Sequence, residues 1–122
     1  SRDLFSIAWA MSPEEAARMS QAGADVIGAM IGVTTGGMSG AGETISLDQA
    51  TRRVQAMAAA AKRENPEIMV LTHGGPFADV ETAQYSILHS DAVGYASGSS
   101  GERIPTEAAV AGIVRQYKSM QL

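Results

Sequence analysis

Three glycine- and hydroxyl-rich stretches hold the residues best placed to do chemistry. Thr72-His73-Gly74-Gly75-Pro76 ends an apolar run, and two glycines after a histidine let a ligand approach the backbone. His73 can donate to a phosphate or carbonyl oxygen, act as acid or base, or simply brace the turn. Ala96-Ser97-Gly98-Ser99-Ser100-Gly101-Glu102-Arg103-Ile104-Pro105 places small hydroxyl residues and glycines just before a helix start, where a phosphate cup is expected. Arg103 can supply a fixed positive charge for phosphate or carboxylate. Glu102 reads as a base, a metal ligand or the partner of Arg103. The longest stretch runs from Gly32 to Glu43 and contains Thr34, Thr35, Gly36 and Gly37. It has neither the Gly-Lys-Ser/Thr of a Walker loop nor a G-x-G-x-x-G turn. Its glycines free N–H groups to approach an anion, and its hydroxyls can add hydrogen bonds; a mobile lid or a plain solvent loop is the other reading.

The rest of the composition narrows the class of protein around these loops. Among 122 residues there are 13 acidic residues, 9 Lys plus Arg, two His and no Cys, with a formal charge of −4. That balance offers no cationic footprint for nucleic acid or an anionic membrane surface. Without Cys there are no disulfides, thiolate zinc sites or cysteine nucleophiles. No apolar run approaches the roughly 18 residues of a membrane span, and no signal peptide opens the chain. A soluble, cytoplasmic domain is expected. The chain opens at Ser1 and enters an apolar run almost at once, which reads as a piece of something longer.

Positioning these loops requires a scaffold, and the pattern is βαβαβαβα. Four short apolar runs, Leu4–Ala10, Asp25–Ile31, Ile68–His73 and Ala92–Ala96, read as buried strands. Ser12-Pro13-Glu14-Glu15 and Ser46-Leu47-Asp48-Gln49 are capping boxes, Asp79 is a third N-cap, and Pro105-Thr106-Glu107 opens a fourth helix. Gly23 closes the first helix. Leu47, Ala50, Val54, Met57 and Ala61 form one apolar stripe; Val110, Ile113, Val114 and Tyr117 form another. Phe5, Ile7 and Trp9 alternate with Ser6, Ala8 and Ala10, and Val93 and Tyr95 alternate with Ala92, Gly94 and Ala96. The bulky set is expected beneath helices and the small set toward a crowded interior. Trp9, near the end of the first strand, is placed to wall a pocket or, as expected, to pack in the core; gap filling is expected for the seven Met and a helix C-terminus for His89. Eight βα units of a TIM barrel take about 250 residues. Four units in this length predict an α/β fold: residues 1–122 as a single (βα)4 half-barrel domain with a parallel sheet, a fragment of a longer TIM-barrel protein.

With the loops assembled, the chain resembles the carboxyl-terminal half of the phosphoenolpyruvate hydrolase-like TIM-barrel family. Ser12-Pro13-Glu14-Glu15-Ala16, Ala22-Gly23-Ala24-Asp25, Gly32-Val33-Thr34-Thr35-Gly36-Gly37, His73-Gly74-Gly75-Pro76 and Ser99-Ser100-Gly101-Glu102-Arg103-Ile104-Pro105-Thr106-Glu107 carry the resemblance, in order and along nearly the whole chain. The resemblance implies the phosphate-binding half of a hydrolase acting on phosphoenolpyruvate or a similar small phosphorylated or carboxylated compound. His73, Glu102 and Arg103 would be its catalytic group. Thr34, Thr35, Gly36, Gly37, Gly74, Gly75, Ser97, Gly98, Ser99 and Ser100 would contact the ligand. A divalent metal such as Mg2+ is compatible with that chemistry, although no constellation of carboxylates specifies one. The alternative is a non-catalytic small-molecule-sensing or protein-interaction domain of a regulatory or resistance protein. A half-barrel exposes strand edges and an uncovered interior, so the expected partner is a second copy or an amino-terminal half-barrel.

Overall fold

Ser12 and Ser46 start their helices where their spacing predicts, but only Ser46 closes the expected capping box, because the Glu15 carboxylate accepts from the Met11 amide and not from Ser12. The Ser12 hydroxyl accepts from the Glu15 amide at 3.2 Å, and Ser46 and Gln49 close a reciprocal box. Each satisfies an N–H that has no partner within its helix. Gly23 takes φ +91° immediately after the first helix, a conformation that favours glycine.

The computed structural model describes residues 3–42 and 44–121. Ser1, Arg2, Leu122 and Glu43 of the long loop lie outside the described residues. Four strands, β1 (Ile7–Ala10), β2 (Val26–Met30), β3 (Met69–His73) and β4 (Gly94–Tyr95), alternate with α1 (Pro13–Gln21), α2 (Leu47–Glu64), α3 (Val80–Leu88) and α4 (Arg103–Lys118). The strands form one parallel sheet in the order β1-β2-β3-β4. This α/β arrangement of four consecutive βα units is that of half a TIM barrel. Among the described residues no helix is long and apolar enough to cross a membrane.

The core lies between the sheet and its helices and is built largely from small residues. Ala10, Ala16, Ala29, Ala50, Ala58 and Ala61 are buried there with Ile27, Val54, Met57, Val70 and Phe77. Small side chains let α1 and α2 approach each other closely, and the Ser20 hydroxyl bonds the Ala61 carbonyl across their contact. The Ser86 hydroxyl ties α3 to Thr72 on β3 at 3.1 Å, leaving neither buried oxygen unpartnered.

The structure corrects the expected facing of the strands. Ala8 and Ala10 lie toward the helices, whereas Ile7 and Trp9 are 46% and 45% exposed on the helix-free face. Alternation shows that a strand has two faces; the size of a side chain does not say which one the helices cover. Tyr95 does pack on the helix-side core, while Val93 is exposed. The strands are also shorter than the apolar runs, and Leu4 and Phe5 remain exposed ahead of β1. Of the methionines, only Met57 is fully buried among the described residues; Met11, Met19, Met38, Met69 and Met120 are exposed.

The last helix departs most. It starts at Arg103 rather than Pro105 and has no buried residue, so the stripe Val110, Ile113, Val114 and Tyr117 faces outward. Its first turns instead meet the loop after β2. His89 caps α3, where its Nδ1 lies 2.8 Å from the Tyr85 carbonyl.

Candidate functional site

The carboxyl ends of β2, β3 and β4 bring the three loops together, as parallel strand order requires. The structure gives their residues different tasks. His73, the last residue of β3, lies on the helix-free face with its Nδ1 2.7 Å from the Ala96 carbonyl. A carbonyl only accepts, so Nδ1 carries a proton, and Nε2 is the acceptor of the neutral ring. The indole of Trp9 lies against the same imidazole, with ring centroids 4.6 Å apart and planes tilted by 54°. His73 is therefore held from two sides.

Gly98 sits beside this histidine: a Cβ built there would come within 3.3 Å of His73 Cε1. Glycine allows the loop after β4 to approach the ring so closely. Among the described residues, the amides of Ser97, Gly98, Ser99 and Ser100 donate to no protein acceptor, whereas the Gly101 and Glu102 amides already bond the Gly98 carbonyl. Four successive N–H groups without a protein acceptor therefore precede α4.

The side chains of this loop partly turn elsewhere. Ser100 Oγ is 2.6 Å from the Tyr95 hydroxyl and 3.2 Å from Ser97 Oγ, and Tyr95 donates to the Phe77 carbonyl. These groups line a cleft of about 280 Å³ between the loop and the start of α3, with Asp79 and Val80 opposite. The Thr82 amide and hydroxyl hold the Asp79 carboxyl below the usual carboxylate range, so a negative charge stands at this cleft. That charge disfavours an anion within this cleft.

Gly74 and Gly75 are buried and serve the packing of loops. Their φ values are +72° and +58°, and a Cβ on Gly74 would overlap the Gly32 carbonyl. The Gly75 amide donates to that carbonyl at 3.0 Å, and the Gly75 carbonyl accepts from the Thr35 amide at 3.0 Å. The Gly75 N–H expected to face a ligand is thus already bonded. Thr34 is buried and accepts from the Ala41 amide, while the Thr35 hydroxyl leans on Gly75 O at 3.4 Å.

Gly36 and Gly37 form the tip of the long loop, and α4 clasps them. Arg103 does not pair with Glu102. Its Nη1 meets Glu107 one turn on at 3.1 Å, and its Nη2 donates to the Gly36 carbonyl at 3.1 Å. Glu107 in turn accepts from the Met38 amide at 2.6 Å and from the Ser39 hydroxyl at 3.2 Å. The Met38 amide, followed by Arg103 and Ser39, keeps the Glu107 carboxyl below its ordinary range. Helical geometry explains the exchange of partners: residues four apart share a face, and adjacent residues do not. The clasp joins loops from β2 and β4 across the end of β3, which lies between them in the sheet.

Glu102 is exposed at the start of α4 and makes no side-chain cap. No three His, Asp or Glu side chains converge as metal ligands among the described residues. Trp9, for which core packing is expected with a pocket wall as the other reading, stands beside His73 and outside the core. Its signal was the glycine at position 28, which falls in the middle of a central strand and makes room for a large neighbour.

Two tomato (Solanum lycopersicum) proteins are similar along nearly all of this chain. The ToMV susceptible protein tm-1(GCR26) and the ToMV resistance protein Tm-1(GCR237) are each 42% identical over 120 residues, which is 98% of this chain. The chain spans only 16% of the length of either relative. A family model described as phosphoenolpyruvate hydrolase-like matches residues 1–120, and the chain belongs to that family.

Proposed function

We propose that this chain is the phosphate-binding part of a barrel enzyme that hydrolyses phosphoenolpyruvate or a similar small phosphorylated or carboxylated compound. The observation that carries the reading is the row of unmatched amides at Ser97–Ser100, with Gly98 set against an imidazole whose Nε2 is free to accept. The phosphate would rest on those N–H groups, which stabilise charge as it builds on the phosphoryl oxygens. His73 Nε2 would take a proton from the attacking water. The new P–O bond forms as the bond to the enol oxygen breaks, and the imidazolium returns its proton to the leaving enolate. Water and phosphoenolpyruvate thereby give phosphate and pyruvate. Apolar side chains of Ile7, Trp9 and Met69 stand exposed on the helix-free face, and a second copy or an amino-terminal half-barrel would cover them.

One observation favours a second reading, a binding domain without turnover, such as a resistance protein can use. Arg103 is engaged by Glu107 and Gly36, so the amides and one histidine are left to meet the anion. Anion binding needs no more than that.

Calorimetric titration of phosphate and phosphoenolpyruvate into the complete protein, followed by a phosphate-release assay, tests both. The hydrolase reading expects binding of each and turnover that is lost in His73→Gln with little change in phosphate affinity. Tight binding without phosphate release selects the second reading. Absence of binding to either compound removes the foundation of both.

A further inference from the structure

We propose that Trp9 is a positioning residue of this site, holding the His73 imidazole in one orientation and forming the floor beneath it. The role of His73 toward a ligand rests on the function proposed above; the hold on its ring rests on geometry alone.

The indole reaches His73 only by crossing a strand. Trp9 is on β1, in register with Gly28 of β2, and His73 is on β3, in register with Met30 of β2. The ring therefore lies across β2 at its glycine. A Cβ on Gly28 would overlap the indole Cε3, so no other residue type leaves that path open. Glycine inside a strand weakens it and commonly marks the close approach of another group. Here that group is Trp9.

The helix-side core does not hold this ring. It is built largely from alanines, and Trp9, the single tryptophan of the chain, lies on the opposite face and is 45% exposed. Its position two residues below His73 in register, and so on the same face, places it under the carboxyl-terminal mouth of the sheet, where barrel sites form. The Ala96 carbonyl fixes the Nδ1 edge of the imidazole and Trp9 supports its face, at 4.6 Å between centroids. Two contacts of different kinds remove the ring's freedom to flip. Nε2 is then presented in one direction, as a group that moves a proton in the transition state requires. Among the described residues, the indole N–H has no acceptor and is available to the organic end of a ligand.

The test uses the complete protein with Trp9→Phe, Trp9→Leu and Gly28→Ala, the last leaving Trp9 present but displaced. Nuclear magnetic resonance of the histidine ring signals, with His73→Gln to assign them, reads the contact directly. The expected result is an upfield, ring-current-shifted His73 signal and a single Nδ1–H tautomer in the parent protein. Trp9→Phe retains both features. Trp9→Leu and Gly28→Ala lose the shift and show mixed tautomers. In the phosphate-release assay, Trp9→Leu should lower kcat by about tenfold or more, part of what a positioned acid–base group contributes, while KM changes little. An unshifted His73 signal in the parent, or one unmoved in Trp9→Leu, overturns the inference whether or not phosphate binds. A signal that moves while kcat stays unchanged overturns the positioning role. If the parent releases no phosphate, the proposed hydrolysis fails, and the tautomer measurement still decides whether Trp9 holds the ring.

Discussion

Replacing Gly74 by alanine tests whether the glycines after His73 serve the packing of loops or the approach of a ligand. Gly74 has φ +72°, and a side chain there must enter a left-handed conformation that costs about 1–2 kcal/mol. Its Cβ would also overlap the Gly32 carbonyl oxygen, a backbone atom that cannot swing aside. The two loops must separate, which endangers the Gly75-to-Gly32 and Thr35-to-Gly75 hydrogen bonds, both 3.0 Å. Each such bond contributes about 1 kcal/mol, so the total loss should be about 3 kcal/mol after a small gain from a stiffer unfolded chain. Two other glycines supply the scale. Gly23, at φ +91° with nothing within 4 Å of an added Cβ, should cost about 1 kcal/mol on replacement by alanine. Gly75→Ala meets Ile31 Cγ2 at 2.9 Å, a side-chain atom able to shift, and should fall between them. Urea unfolding of the three variants in the complete protein, at constant m-value, gives the order. Equal losses for Gly74→Ala and Gly23→Ala would refute the packing argument.

The other expectations follow from single contacts. Phe77 is fully buried, and Phe77→Ala should cost about 3–5 kcal/mol in the same urea experiment. Ser12→Ala removes the acceptor for the Glu15 amide and should cost about 1 kcal/mol, read as earlier thermal unfolding. Because the Glu107 carboxyl titrates below its ordinary value when folded, its contribution to the clasp is complete above the unfolded value and is lost as pH falls through the lowered one. Hydrogen exchange at the Met38 amide, corrected for intrinsic rates, should accelerate on acidification in the parent, and Glu107→Gln should remove that pH response. Arg103→Ala should loosen residues 36–39, seen as faster proteolysis, and leave phosphate affinity unchanged; weakened phosphate binding would return Arg103 to the anion site.

Much of the scaffold is legible from local chemistry. The caps at Ser12, Ser46 and Asp79, the breaker at Gly23 and the short apolar runs each act within a few residues of themselves. Their order is enough for four βα units and a parallel sheet. The stretch from Ser97 to Ser100 is legible only as small residues ahead of a helix; which of its N–H groups find partners depends on the fold, since the Gly101 and Glu102 amides beside it are bonded.

Partners across the fold are a different matter. Arg103 could pair with its neighbour Glu102, with Glu107 or with a ligand, and only the helical turn and the nearby Gly36 carbonyl select among them. Gly74 and Gly75 look alike whether they admit a ligand or another loop, until the Gly32 carbonyl is seen against them. The alternation of Trp9 with Ala8 and Ala10 marks two strand faces, yet the helices cover the alanine face because small residues let them approach closely. Interactions a few residues long are enough to set the elements and their order. Which face becomes the core, which glycines are filled by neighbours and why an indole lies under His73 are settled only on folding, because those contacts join residues far apart in the chain.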